Sequence, residues 1–269
     1  MGHNEMLLSR ALRFGRDEVM VSVKFGAQRA PNGVWIGYDT RPAAVKTALA
    51  YSLKRLGVDY IDIYRPARLD PNVPIEDTIG AIAEMVTAGY VRHIGLSEVG
   101  PETIRRAAAV HPIVDLQIEY ALVSRAPEAK IFPVLDELGI GATTYGALSR
   151  GLLSGSQPAA SGDIRAWLPR FKGDNLAHNQ ELVARLKEIA SAKGITQAQL
   201  AVAWVLAKKN SIVPVIGART RAQLAESLGA LNVKLTADEI AAIEAAVPSG
   251  EVAGTRYDAM QMRVLDSEK

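Results

Sequence analysis

Short apolar runs alternate with longer segments of helical period along the whole chain. The runs at 19–25 (VMVSVKF), 59–64 (DYIDIY), 92–97 (RHIGLS), 113–118 (IVDLQI), 140–145 (IGATTY) and 211–217 (SIVPVIG) are short and mostly rich in Val and Ile. They lack clean polar alternation, as strands buried on both faces should. Helices fit at about 41–56, 75–89, 101–110, 127–138, 175–193, 196–208, 220–229 and 236–247. Thr236 with Glu239 forms a capping box, Thr196 with Gln199 resembles one, and Pro42 and Pro101 stand where an early-turn proline belongs. Another helix is predicted at the start, where Leu7, Leu8, Ala11 and Leu12 recur at helical spacing. Strand alternating with helix implies a parallel sheet in an α/β fold.

The polar residues gather where the strands end. Lys24 ends the first run, Arg65 and Arg68 follow the second, Ser97 and Glu98 end the third, and Gln117 and Glu119 the fourth. Tyr145 ends the fifth run, and Gly217 and Arg219 close the sixth. In a β/α barrel such ends together form the active face, and an open doubly wound sheet would also place ligands there. No G-x-G-x-x-G follows a strand, so a TIM-type barrel is favoured over a dinucleotide-binding open sheet. A barrel has eight strands; six are evident, and the missing strand–helix–strand unit would precede Met1. Met1 is therefore read as an internal methionine taken as a start, or as the start of a shortened protein with two open sheet edges. Residues 1–269 are read as a single, incomplete barrel domain.

Composition narrows the picture only a little. The chain has 269 residues, net charge +2 and no cysteine. Disulfides and thiolate chemistry are excluded, and no basic run interleaved with aromatics suggests nucleic acid. No membrane-length apolar stretch and no signal-peptide pattern is visible, so a cytoplasmic location is the default. The four histidines show no metal-ligand spacing, and His93 and His111 are read as structural. The segment 155–174, with Trp167 and Phe171, is the longest irregular stretch, read as a binding loop or a mobile insertion.

Seven segments, in order, resemble the aldo-keto reductase family. They are GHNE at 2–5, VSVKFG at 21–26, LKRLGVDYIDIY at 53–64, GYVRHIGLSEV at 89–99, QIEYALVSR at 117–125, YGALSRGLLSG at 145–155 and PVIGARTRAQLAESL at 214–228. The resemblance covers essentially the whole chain. It implies a (β/α)8 barrel and NADP(H)-dependent reduction of aldehydes or ketones, with a small carbonyl compound as partner. It implies four catalytic groups, Asp, Tyr, Lys and His; the tyrosine protonates the carbonyl oxygen, helped by a neighbouring lysine cation.

Of these groups the resemblance places only the lysine, at Lys24. Its histidine position falls on Ala67, and its tyrosine and aspartate would lie before Met1. For the cofactor it implies Ser97 and Gln117 at the nicotinamide carboxamide and Tyr145 stacked on the ring. Gly146, Leu148, Ser149 and Gly151 follow, then Ile216, Gly217 and Arg219 at the 2′-phosphate, with Gln223 and Ser227 toward the adenine. Glu98 stands where relatives often have Asn, and Ser227 where many have Asn. Each of these residues also has an ordinary reading. Lys24 could be a surface strand end, Tyr145 core, and Ser97 and Gln117 satisfied polar groups. Around Ala67, Arg65 and Arg68 either fill the vacated histidine region or are solvated; Trp167 is read with them as substrate-side. A nucleotide-binding module without activity is the alternative function, and a Schiff-base lyase using Lys24 a remote third.

Overall fold

A computed structural model describes residues 2–156, 162–209 and 211–269. Met1 and residues 157–161, part of the expected binding loop, lie outside the described residues, as does Asn210. The elements run α1 (His3–Leu12), β1 (Ser22–Phe25), β2 (Ala27–Arg29), β3 (Trp35–Tyr38), α2 (Pro42–Leu56), β4 (Ile61–Pro66), α3 (Ile75–Thr87) and β5 (Val91–Ser97). Then come α4 (Pro101–Val110), β6 (Ile113–Glu119), α5 (Pro127–Leu138), β7 (Gly141–Tyr145), α6 (Gly173–Ala192), α7 (Gln197–Lys208), β8 (Ile212–Val215), α8 (Arg221–Gly229), α9 (Ala237–Ala246) and α10 (Ala259–Val264).

All six expected runs are strands of one parallel sheet, in the order β1-β4-β5-β6-β7-β8. Helices cross between successive strands, the arrangement of a β/α barrel wall. Among the described residues β1 and β8 each pair on one side only, and Val213 and Val215 on the last strand are exposed. The eight helices predicted after the first strand all form, with ends shifted by at most two residues.

The sheet has two chemically different faces. Phe25 stacks on Tyr64, and the Tyr64 hydroxyl donates to the carbonyl of Val45 in α2, so this face packs against helices. Ile94, Leu96, Leu116, Ile118 and Ala142 continue it as apolar core. Residues in phase with Lys24 line the other, concave face. They include Ser22, Arg65, Ser97, Asp115, Gln117, Thr143 and Tyr145, as the strand register requires.

Three parts of the chain depart from expectation. In α1, Met6, Leu7 and Leu8 are exposed and only Leu12 is buried, so the periodic leucines do not face a core. A hairpin, β2–β3, follows β1 where no strand was expected; its sequence, AQRAPNGVWIGY, carries no clean alternating signal. Phe171, expected in a loop, is buried in the core.

Both expected capping boxes are present. Thr236 Oγ1 accepts from the Glu239 N–H, and Glu239 Oε2 accepts from the Thr236 N–H at 2.7 Å. Thr236→Ala should cost about 1 kcal/mol, the usual value of an N-cap, read as a lower urea midpoint at unchanged slope. An unchanged midpoint would mean that α9 is held by packing alone.

Candidate active site

The C-terminal ends of β7 and β8 open into a cleft of about 850 Å³. Tyr145, Gly146, Leu148, Gly151, Ile216, Gly217, Arg219, Gln223 and Ser227 all line it. The expected cofactor residues after β6 are thus brought together, with Ser149 held in the turn between its neighbours. That turn is unusual: Gly146, Ser149, Arg150 and Gly151 all have left-handed backbone. Ser149 is buried, and its hydroxyl has no hydrogen-bond partner among the described residues. A buried hydroxyl left over beside a cleft is a group waiting for a ligand or water.

At the far end of the cleft, α8 begins. Thr220 caps it by accepting from the Gln223 N–H, and Gln223 Oε1 accepts from the Arg219 N–H at 2.9 Å. The Arg219 guanidinium is exposed and has no ion-pair partner among the described residues. An unpaired guanidinium at a helix N-terminus suits a phosphate, because the helix dipole and the fork of N–H donors act together. Asp163 and Arg165 pair with each other on the facing wall, and Arg165 Nη1 also donates to the Arg150 carbonyl at 3.1 Å. Trp167, expected on the substrate side, is not among the cleft residues. It is 74% exposed, with Lys172 over its ring.

The concave face carries the other candidates. Lys24 Nζ sits 5.6 Å from the Tyr145 ring centroid. Partial burial, then the charges of Arg68 and Arg65, bring its pKa down from 10.5 to about 8. Ser97 and Gln117 are register partners on β5 and β6; Ser97 is fully buried, and Arg68 Nη1 lies 3.4 Å from its hydroxyl. Ala67, at the position expected for histidine, is buried, and its N–H donates to the Phe25 carbonyl.

Arg65 corrects the expectation made for it. β4 runs two residues past the expected end, so Arg65 lies inside the strand rather than in the loop. It is wholly buried on the concave face, with Nη2 2.9 Å from Asp115 Oδ1 and 2.8 Å from Ser22 Oγ. Thr143 also donates to Asp115. Both terminal nitrogens are taken up within the sheet, while the buried Nε has no partner among the described residues, so Arg65 is not solvated. Gly95 makes the pairing possible: a Cβ there would lie 2.6 Å from Asp115 Oδ1 and 3.1 Å from Arg65 Cζ.

A second group was not foreseen in the sequence. Glu98 is fully buried at the end of β5, with left-handed backbone. Its carboxylate accepts from Arg256 Nη1 and Nη2 at 3.0 and 2.5 Å, and from the Tyr145 hydroxyl at 2.7 Å. It also accepts from Ser267 Oγ at 2.8 Å and the Glu119 N–H at 2.9 Å. Burial alone would raise its pKa, but Arg256 and these donors hold it at about 2. Burial and the nearby Glu98 charge push the Tyr145 phenol up. Tyr257 completes the group, its hydroxyl 3.0 Å from that of Tyr145 and its ring under Arg150. The one sequence signal was Glu98 itself, a charge after an apolar strand; Arg256 and Tyr257 lie in a tail without periodic pattern.

Comparison with known proteins agrees with this geometry. The sequence pattern described as Aldo/keto reductase family matches residues 1–248. A probable aldo-keto reductase of Glycine max is 40% identical over 259 residues, covering 94% of this chain and 74% of that protein. An aldo-keto reductase of Schizosaccharomyces pombe, named with NADP(+), is 39% identical over 249 residues, covering 90% and 73%. Among solved structures, a glycerol dehydrogenase of Gluconobacter oxydans superposes with TM-score 0.85 at 24% identity, covering 99% of this chain and 79% of that one. A thermostable aldo-keto reductase solved with the inhibitor epalrestat gives TM-score 0.74 at 27% identity, covering 91% and 77%.

Proposed function

The chain belongs to the aldo/keto reductase family, and from that premise we propose that it is an NADP(H)-dependent oxidoreductase reducing small aldehydes or ketones to alcohols. One observation carries the choice of nucleotide: Arg219, exposed and unpaired among the described residues, at the start of α8 on a cleft lined by the other cofactor candidates. A 2′-phosphate supplies the charge that this guanidinium lacks. The Ser149 hydroxyl, without a partner among the described residues, and the left-handed turn around it fit the same ligand.

When bound, the dinucleotide supplies the hydride. Arg219 holds its phosphate, with Gln223 and Ser227 beside it. Gly146, Leu148, Ser149, Gly151, Ile216 and Gly217 form the cleft wall. Tyr145 offers a ring face, fixed by the bond from its hydroxyl to Glu98, on which a flat heterocycle can lie. Ser97 and Gln117 present polar groups on the same face. Lys24 places positive charge beside Tyr145, where a carbonyl oxygen gains negative charge during reduction. Arg68 adds a second cation nearby.

The test is a nucleotide titration. Arg219→Ala should weaken NADPH binding by roughly ten- to hundredfold, the loss of one charge-assisted contact, and leave NADH binding nearly unchanged. Equal loss for both nucleotides would place the 2′-phosphate elsewhere. A second reading, nucleotide binding without turnover, is favoured by Ala67 at the histidine position. Steady oxidation of NADPH with an aldehyde by the full chain would dismiss it.

A further inference from the structure

The last fourteen residues turn back across the strand ends. Asn179 of α6 holds the approach, exchanging hydrogen bonds with the N–H and carbonyl of Ala253, both at 2.9 Å. Arg256 then drives its guanidinium into the Glu98 carboxylate. The chain loops out through Tyr257 and α10, where Met260 and Val264 are exposed. It returns to the same place: Ser267 donates to Glu98, and Asp266 Oδ2 accepts from the Gly100 N–H at 2.8 Å. Gly100 has no room for a side chain, since a Cβ would lie 2.7 Å from the Asp266 carbonyl oxygen. Glu268 pairs with the outer side of Arg256 at 2.7 Å.

Both ends of the loop 256–268 are therefore fastened on the end of β5, largely through one carboxylate. The same carboxylate takes the Tyr145 hydroxyl, and the loop brings the Tyr257 hydroxyl within 3.0 Å of it. Arg256 is also 3.6 Å from Glu119, which Arg150 and Arg170 approach within 3.8 Å. This is more charge pairing than a surface tail needs, and it is buried, where each bond is strong and each loss costly.

We propose that Glu98 is a positioning residue: a buried latch that fixes the C-terminal strap through Arg256 and Ser267, so that Tyr257 walls the carbonyl-substrate side of the Tyr145 ring. The proposal rests on the reductase reading for what the wall encloses. The latch itself is a statement about this chain's own residues. Glu98 touches no reacting atom; it acts through the strap and through Tyr145. Its low pKa keeps the latch charged throughout the ordinary working range.

Two readouts on the full chain test it: amide hydrogen exchange, and kinetics with NADPH and 4-nitrobenzaldehyde as probe. Glu98→Gln keeps the shape and removes the charge. Exchange in 257–265 should quicken by at least about tenfold, the worth of one lost charge-assisted bond, while β5–β7 stay protected. KM for the aldehyde should rise by about the same factor, and by more than NADPH affinity falls, because the amide oxygen of the glutamine can still accept from the Tyr145 hydroxyl. Ser267→Ala, which leaves the buried ion pair intact, should move both in the same direction by about threefold; it serves if Glu98→Gln does not fold. Unchanged exchange in the strap would overturn the latch. So would equal loosening of the strap and the strands, the mark of a merely structural residue. Exchange needs no turnover, so a chain that reduced no aldehyde would count against the proposed activity and leave the latch to be judged on its own.

Discussion

Lys24→Met should lower kcat/KM for carbonyl reduction by about 10²–10⁴-fold, the range of a positioned acid–base or electrostatic group, with NADPH affinity nearly unchanged. Methionine keeps the length of the side chain and removes only the cation. The lysine is worth this much because of where it stands. It shares the concave face with Arg65 and Arg68 and lies beside Tyr145. Burial first, and then the charges of Arg68 and Arg65, depress its pKa to about 8, so activity that depends on the ammonium should fall as pH rises through about 8 in wild type. Stability should move the other way. The folded chain releases this proton near 8 and the unfolded chain near 10.5, so between those values the unfolded state binds more protons and stability increases with pH. Activity in Lys24→Met within threefold of wild type would remove the lysine from the reaction.

Arg65→Ala should destabilise the fold by about 3–5 kcal/mol, the cost of leaving one member of a buried ion pair alone. Asp115→Ala should cost about the same, for the same reason. Removing both together, as Arg65→Ala with Asp115→Ala, should cost much less than the sum, because no unpaired charge remains. Urea unfolding of the three variants measures the coupling. A single substitution costing under about 1 kcal/mol would mean that water reaches the pair and solvates the survivor. Activity is a confounded readout here, since the Arg65 charge also lowers the Lys24 pKa.

Much of the fold was legible because its signals are local. Most strands of the main sheet are short runs rich in Val and Ile, and each later helix carries a start or stop signal within one turn of its end. The candidate cleft was partly legible for a related reason: most of the residues expected there fall in two segments, 145–151 and 216–227, at or just after a strand end. What the sequence concealed is long-range or turns on one residue of boundary. Arg65 was misplaced because β4 continues through Arg65 and Pro66, and a strand residue points by register where a loop residue points by choice. The Glu98–Arg256 pair joins residues 158 apart. No spacing rule reaches that far, and nothing in GTRYDAM marks its arginine as a buried one. The exposed leucines of α1 show the converse: period 3.6 reports a helix, and burial depends on what is packed against it.

Gly95 turns the Arg65–Asp115 pair into a constraint on the order in which positions can change. While the ion pair is present, every side chain at 95 collides with it, so the glycine is fixed by its neighbours more than by its own backbone. Replacing both charges by smaller apolar groups would relieve only part of the clash, because an added Cβ would still lie 2.9 Å from Ile63 Cγ2. Each charge, in turn, is costly to lose first. The three positions therefore form an epistatic lock: single steps from the present state lead downhill in stability, and the states beyond are reached only by paired changes. A deep mutational scan should find positions 65, 95 and 115 intolerant one at a time, with the cost of Gly95→Ala reduced where 65 and 115 are both alanine.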